Sequence, residues 1–70
     1  MNSTIRNNIR ELRTIHHMTQ QDLAGFINVT RQTVNAIELD KYSPSLEVAF
    51  RIANVFGVPL DQVFQYKSPT

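Results

Sequence analysis

The twenty residues from Thr19 to Glu38, TQQDLAGFINVTRQTVNAIE, decide the fold. They read as two short amphipathic helices joined by a tight turn. Thr19 starts the first: its hydroxyl can accept from the backbone N–H of Asp22, and Asp22 adds negative charge where the helix dipole favours it. Leu23, Phe26 and Ile27 form the expected buried face. Ala24 is small enough to let the next helix approach closely. Asn28 ends this helix, because asparagine tolerates the left-handed backbone of a C-terminal cap. Thr30 caps the second helix, where Val34, Ile37 and Leu39 are expected to point inward. Arg31, Gln32, Asn35 and Glu38 are its polar residues. Asp40 should end it, again by entering the left-handed region.

Working outward, the chain divides into about five helical segments. The first starts near Asn7 or Asn8, where Asn8 and Glu11 have the spacing of a capping box. Ile9, Leu12 and Ile15 follow at near-helical spacing, with Arg6, Arg10 and Arg13 on another side. His16 and His17 fall at its end. Ser43-Pro44 should open the fourth helix, a capping hydroxyl followed by proline at the first helical position. Leu46, Ala49, Phe50 and Ala53 make its expected core side, with Val55 and Phe56 near its end and Gly57 as its stop. Pro59 starts a short fifth helix with Leu60, Val63 and Phe64 apolar. Met1–Thr4 and Ser68–Thr70 read as tails. Helical spacing assigns Phe26, Phe50 and Phe56 to the core, not to a platform for stacking bases.

Seventy residues make one domain, 1–70, and a core this small supplies about 3–5 kcal/mol of net stability. With no cysteine, disulfides are excluded. Adjacent histidines do not share one side of a helix, so no metal site is expected. A second copy of the chain is then the expected support. The hydrophobic fraction of 41% suits a globular domain, and the net charge of +1 does not by itself advertise nucleic acid. No apolar run approaches the roughly 20 residues that span a bilayer, and MNSTIRNNIRELR has no apolar signal region. A soluble, cytoplasmic protein is expected. Neither a Gly-rich phosphate loop nor a Ser-His-Asp grouping points to an enzyme.

From Asn8 to Tyr66 the chain resembles the Cro/CI-type helix-turn-helix regulators, the Xre family. The elements that carry the resemblance are Thr19-Gln20, Leu23-Ala24, Val29-Thr30-Arg31-Gln32-Thr33, Ala36-Ile37-Glu38, Lys41-Tyr42-Ser43-Pro44-Ser45-Leu46, Phe56-Gly57-Val58 and Phe64. Their order and spacing are specific together, though none is alone. The chain departs from the pattern at Asn28, where glycine is usual in the turn, at Leu39-Asp40, where Asn-Gly is common, and at Gly25, where a long polar residue is typical.

The resemblance implies an all-α, lambda-repressor-like bundle of five helices, with the helix-turn-helix at about 19–39. It implies double-stranded DNA as partner, with base edges read by Arg31, Gln32, Asn35 and Ala36. That chemistry is apt: arginine forks onto guanine, glutamine or asparagine pairs with adenine, and a methyl group meets thymine. Thr19, Gln20, Thr33, Lys41, Tyr42, Ser43 and Arg13 would contact phosphates, fixing register rather than sequence. Arg13 and Glu38 would form an ion pair joining the first and third helices. Reading a genome calls for more base pairs than one such domain spans, so a homodimer on two half-sites is implied. Residues 58–67, with Val58, Leu60, Val63, Phe64 and Tyr66, are the candidate interface. In short members such as the cytolysin-operon repressor, a strand before the first helix pairs with one after the fifth. Thr4-Ile5-Arg6 and Gln65-Tyr66-Lys67 could pair so here, or fray. A homodimeric repressor on a pseudo-palindromic operator is the leading reading, with no cofactor or small-molecule ligand evident. An antitoxin-type DNA-binding protein and a protein-interaction module with the same fold stay open.

Overall fold

A strand, five helices and a closing strand follow one another along the chain: β1 (Ile5–Asn7), α1 (Ile9–Ile15), α2 (Gln20–Ile27), α3 (Arg31–Glu38), α4 (Leu46–Phe56), α5 (Leu60–Val63) and β2 (Phe64–Tyr66). The computed structural model describes residues 4–67, so the expected tails lie outside the described residues apart from Thr4. The strands pair antiparallel, with Ile5 opposite Tyr66, Arg6 opposite Gln65 and Asn7 opposite Phe64. The expected segments therefore pair in register, and the ladder runs one pair further, to Asn7 and Phe64. Lys67 N–H continues it to the Thr4 carbonyl at 2.6 Å.

The caps explain where each helix stops and starts. Thr19 and Asp22 form a complete capping box on α2, and Thr30 caps α3 by accepting from Thr33 N–H. Asn28 (φ 62°) and Asp40 (φ 61°) take the left-handed backbone expected of them, and Gly57 (φ 68°), the expected stop of α4, takes it as well. His17 (φ 55°), not foreseen, does the same after α1. There the Met18 and His17 N–H groups turn back to the Arg13 and Thr14 carbonyls at 2.8 and 3.2 Å, closing a Schellman motif.

Two expected caps are corrected. Asn8 makes no side-chain cap on α1 and spends its amide on the Gln62 carbonyl at 3.1 Å. It is Asn7 Oδ1 that accepts from Ile9 N–H, at 3.2 Å. The fourth helix starts two residues later than Ser43-Pro44 suggests: Ser45 caps it through Val48 N–H, and Ser43-Pro44 belongs to the preceding loop.

The core is Ile9, Leu23, Ala24, Ile27, Val34, Ile37, Ile52, Ala53, Phe56 and Val63, drawn from every helix. Burial of these apolar groups is what holds short helices that would not persist alone. Several expected core residues are exposed instead: Phe26 (67%), Phe50 (51%), Leu46, Ile15 and Leu39. The reason is rotation. Successive helical residues turn by about 100°, and the α4 stripe that faces inward is Ala49, Ile52, Ala53 and Phe56, at the i, i+3, i+4, i+7 spacing of one face. Leu46 and Phe50 flank that stripe, and Ile52, overlooked in the sequence, is fully buried. On α2, Phe26 is likewise one residue's rotation from the buried Ile27.

Candidate nucleic-acid interface

α2 and α3 pack against each other through Leu23, Ala24, Ile27, Val34 and Ile37, which leaves the start and outer side of α3 in solvent. Arg31, Gln32 and Asn35 are exposed there, and Ala36 is half-buried beside them. The far end of α3 is closed by a second Schellman turn: Asp40 N–H donates to Ile37 O at 3.1 Å and Lys41 N–H to Ala36 O at 2.9 Å. Lys41, Tyr42 and Ser43 follow as an exposed loop. Thr33 is half-buried, with its hydroxyl 3.0 Å from that of Thr30.

Arg13 and Glu38 tie α1 to the end of α3. Arg13 donates from Nε to Glu38 Oε2 at 2.6 Å and from Nη2 to Oε1 at 3.0 Å. Its Nη1 donates to the Met18 carbonyl at 3.0 Å. The side chains are 14% and 7% exposed, so solvent screens the pair little. The hydrogen bonds to Glu38 raise the Arg13 pKa; partial burial opposes them, and the Glu38 charge adds to the rise. The guanidinium thus stays charged at any pH that the fold survives.

Gln20, expected at a phosphate, makes two side-chain bonds within the protein. Its Nε2 donates to Asn35 Oδ1 at 3.1 Å and to Glu38 Oε1 at 3.2 Å. Gln20, Asn35, Glu38, Leu39, Arg10 and Arg13 line one depression of about 330 Å³ between α1 and α3. Arg10 was not among the expected contacts. The signal was present: it lies with Arg13 on the side of α1 away from the apolar stripe.

Asp40, the departure that would bring a negative charge near DNA, has a local use. Its Oδ1 accepts from Asn7 Nδ2 at 3.0 Å and its Oδ2 from Arg6 Nη1 at 3.3 Å. Asn7 Nδ2 also donates to the Ile37 carbonyl at 2.9 Å. Strand β1 is thereby fastened to the end of α3 and the carboxylate is partly neutralised.

Beside the two strands, Ile5, Leu60, Phe64 and Tyr66 line an open apolar depression of about 590 Å³, with Asp61 and Gln65 at its side. Tyr66 is 72% exposed and Ile5 is exposed. Val58 and Leu60 are partly buried against the core. Val63 is a correction: grouped with the surface on sequence, it is fully buried and supports this flank from behind. No group of His, Cys, Asp and Glu that could hold a metal occurs among the described residues, and none of their helices is long and apolar enough to cross a membrane.

Comparison with known proteins agrees with this geometry. Residues 9–63 match a family model described as helix-turn-helix. The chain is 46% identical over 63 residues to an uncharacterised HTH-type transcriptional regulator of Methanocaldococcus jannaschii, covering 90% of this chain and 96% of the relative. It is 34% identical over 55 residues to the cryptic phage CTXphi transcriptional repressor RstR of Vibrio cholerae, covering 79% of this chain and 50% of that protein. In fold it is similar to a crystal structure described as that of a candidate DNA-binding protein from Bacteroides fragilis, with a TM-score of 0.79, 21% identity, and coverage of 87% and 98% of the two chains.

Proposed function

The chain belongs to the helix-turn-helix family of transcriptional regulators, and from that premise we propose that it is a homodimeric repressor that binds a pseudo-palindromic operator. The observation that carries this reading is the outer side of α3: Arg31, Gln32 and Asn35 stand exposed on a helix whose inner side is locked into the core. A rigid helix with arginine and amide side chains at its start suits the major groove. Arg31 would fork onto a guanine, Gln32 and Asn35 would meet neighbouring base edges, and Ala36 would meet a thymine methyl. Arg10, Thr19, Thr33, Lys41, Tyr42 and Ser43 would take phosphates, and the N-terminus of α2 would add its free N–H groups. Repression would follow from occupying a promoter.

Dimerisation would use the apolar flank of Ile5, Leu60, Phe64 and Tyr66, which is open in one copy and would pack against the same flank of a second copy about a two-fold axis. The similarity to a named repressor supports repression over activation.

Selection of bound duplexes from a random pool tests the reading. A two-fold-related sequence should be enriched. Arg31→Ala should then relax preference at one position in each half-site, by about 1–3 kcal/mol in discrimination. Absence of any enriched sequence, with no binding at low salt, would defeat the proposal.

A further inference from the structure

The side-chain amide of Asn35 has its orientation set from the protein's interior. The relay begins at Glu38, whose carboxylate can only accept and already holds two donors from Arg13. An amide that reaches Glu38 must turn its nitrogen to it, and Gln20 does so, with Nε2 at 3.2 Å from Oε1. The same Nε2 lies 3.1 Å from Asn35. An amide nitrogen gives hydrogens and accepts none, so the atom of Asn35 that faces it must be Oδ1. Polarity therefore runs outward from the buried charge. Arg13 fixes Glu38, Glu38 fixes the Gln20 amide, and Gln20 fixes the Asn35 amide. With Oδ1 turned toward Gln20 and one of its lone pairs engaged, the group that Asn35 turns away from Gln20 is Nδ2, a donor, on an exposed residue of α3.

We propose that Gln20 is a specificity-determining positioning residue: through this relay it makes Asn35 lead with a donor, so the base pair beneath Asn35 is selected for major-groove acceptors. The inference rests on the reading above that α3 faces base edges. Guanine offers two adjacent acceptors, N7 and O6, and is the favoured base; cytosine, which presents its N4 donor, is the rejected one. Two-ended pairing of Asn35 with adenine is disfavoured, because it needs the amide oxygen at the base edge, and the bond from Gln20 holds one lone pair of that oxygen and keeps it turned toward Gln20. Gln20 thereby acts on specificity without touching a base. Its expected role at a phosphate is the competing account, and the two differ in what they do to salt dependence.

The test compares the wild type, Gln20→Met, Asn35→Ala and the double variant on the selected operator and on its single-base variants, each at several salt concentrations. Methionine keeps the length of glutamine and removes the donor. Gln20→Met should cut discrimination roughly tenfold at the one position that Asn35→Ala also relaxes, favouring guanine there in the wild type. It should add nothing in the Asn35→Ala background and leave the salt slope unchanged. A Gln20→Met protein that binds every duplex more weakly by one common factor, with a salt slope smaller by about one, would make Gln20 a phosphate contact and overturn the proposal. So would wild-type selection of adenine at the Asn35 position. A wild type that selects no sequence at all removes the reading on which this one rests, a result distinct from either. Side-chain amide exchange in the free wild-type protein gives a readout that needs no DNA or variant. The Gln20 Nε2 protons should exchange more slowly than those of Asn35 Nδ2; equal, fast exchange of both would overturn the relay.

Discussion

The groove side and the strand side of this molecule are both exposed but differ in chemistry and in restraint. On the groove side, Arg13, Glu38, Gln20 and Asn35 form one chain of hydrogen bonds that ends at an outward-facing amide. On the strand side, Ile5, Leu60, Phe64 and Tyr66 offer apolar surface and little to hydrogen-bond with. A polar surface gains specificity when its groups are held before the partner arrives, since less freedom is lost on binding. An apolar surface needs only shape and area, so it can be left untied. The difference argues for two kinds of partner: a hydrogen-bonding polyanion on one side and another apolar surface on the other.

Breaking the groove side at its buried anchor should have the largest effect. Glu38→Ala leaves Arg13 partly buried without its carboxylate and should cost about 3 kcal/mol. Asp61→Ala removes an exposed charge on the strand side and should cost under about 0.5 kcal/mol. Thermal melts of the two variants decide this: equal melting temperatures would show that the pair is no anchor. Asp40 comes next, because it is the link between the two sides through Asn7 and Arg6. Asp40→Ala puts alanine at φ 61° and deletes both bonds, for a loss of about 2 kcal/mol. Asp40→Gly relieves the backbone alone and should recover about half of that in denaturant unfolding. If glycine recovers everything, the bonds to β1 contribute nothing. The smallest effect on folding belongs to Tyr66→Ser, within about 0.5 kcal/mol, since the ring is mostly in solvent. The same substitution should weaken self-association by more than about tenfold in sedimentation equilibrium. An unchanged association constant would take Tyr66 out of the interface.

The helices and their ends were legible because capping chemistry is local. Thr19, Thr30, Asn28, Asp40 and Gly57 each act within a few residues, so spacing alone reveals them. Phe26, Phe50 and Leu46 misled because hydrophobicity marks what can be buried, while helix rotation and the neighbour's position decide what is. The start of α4 was misplaced because Ser43 and Ser45 are both competent caps and only the preceding loop chooses between them. At the candidate site, the outward residues of α3 follow from the motif. The links between them do not: Gln20 to Asn35 spans 15 positions and Asn7 to Asp40 spans 33, and no periodicity encodes such pairs. Asp40 in particular looked like an adverse charge until its partners on β1 were located.

The most direct test of the central claim, a dimer that reads DNA through α3, is a salt titration of binding to the selected duplex with the number of bound chains counted in the same samples. If each chain neutralises about 3–4 phosphates, two chains should bind per duplex, with a slope of log K against log salt of roughly −5 to −7. The selected duplex should also keep its advantage over a scrambled one as salt rises. One chain per duplex, or equal affinity for selected and scrambled duplexes at every salt concentration, would contradict the account.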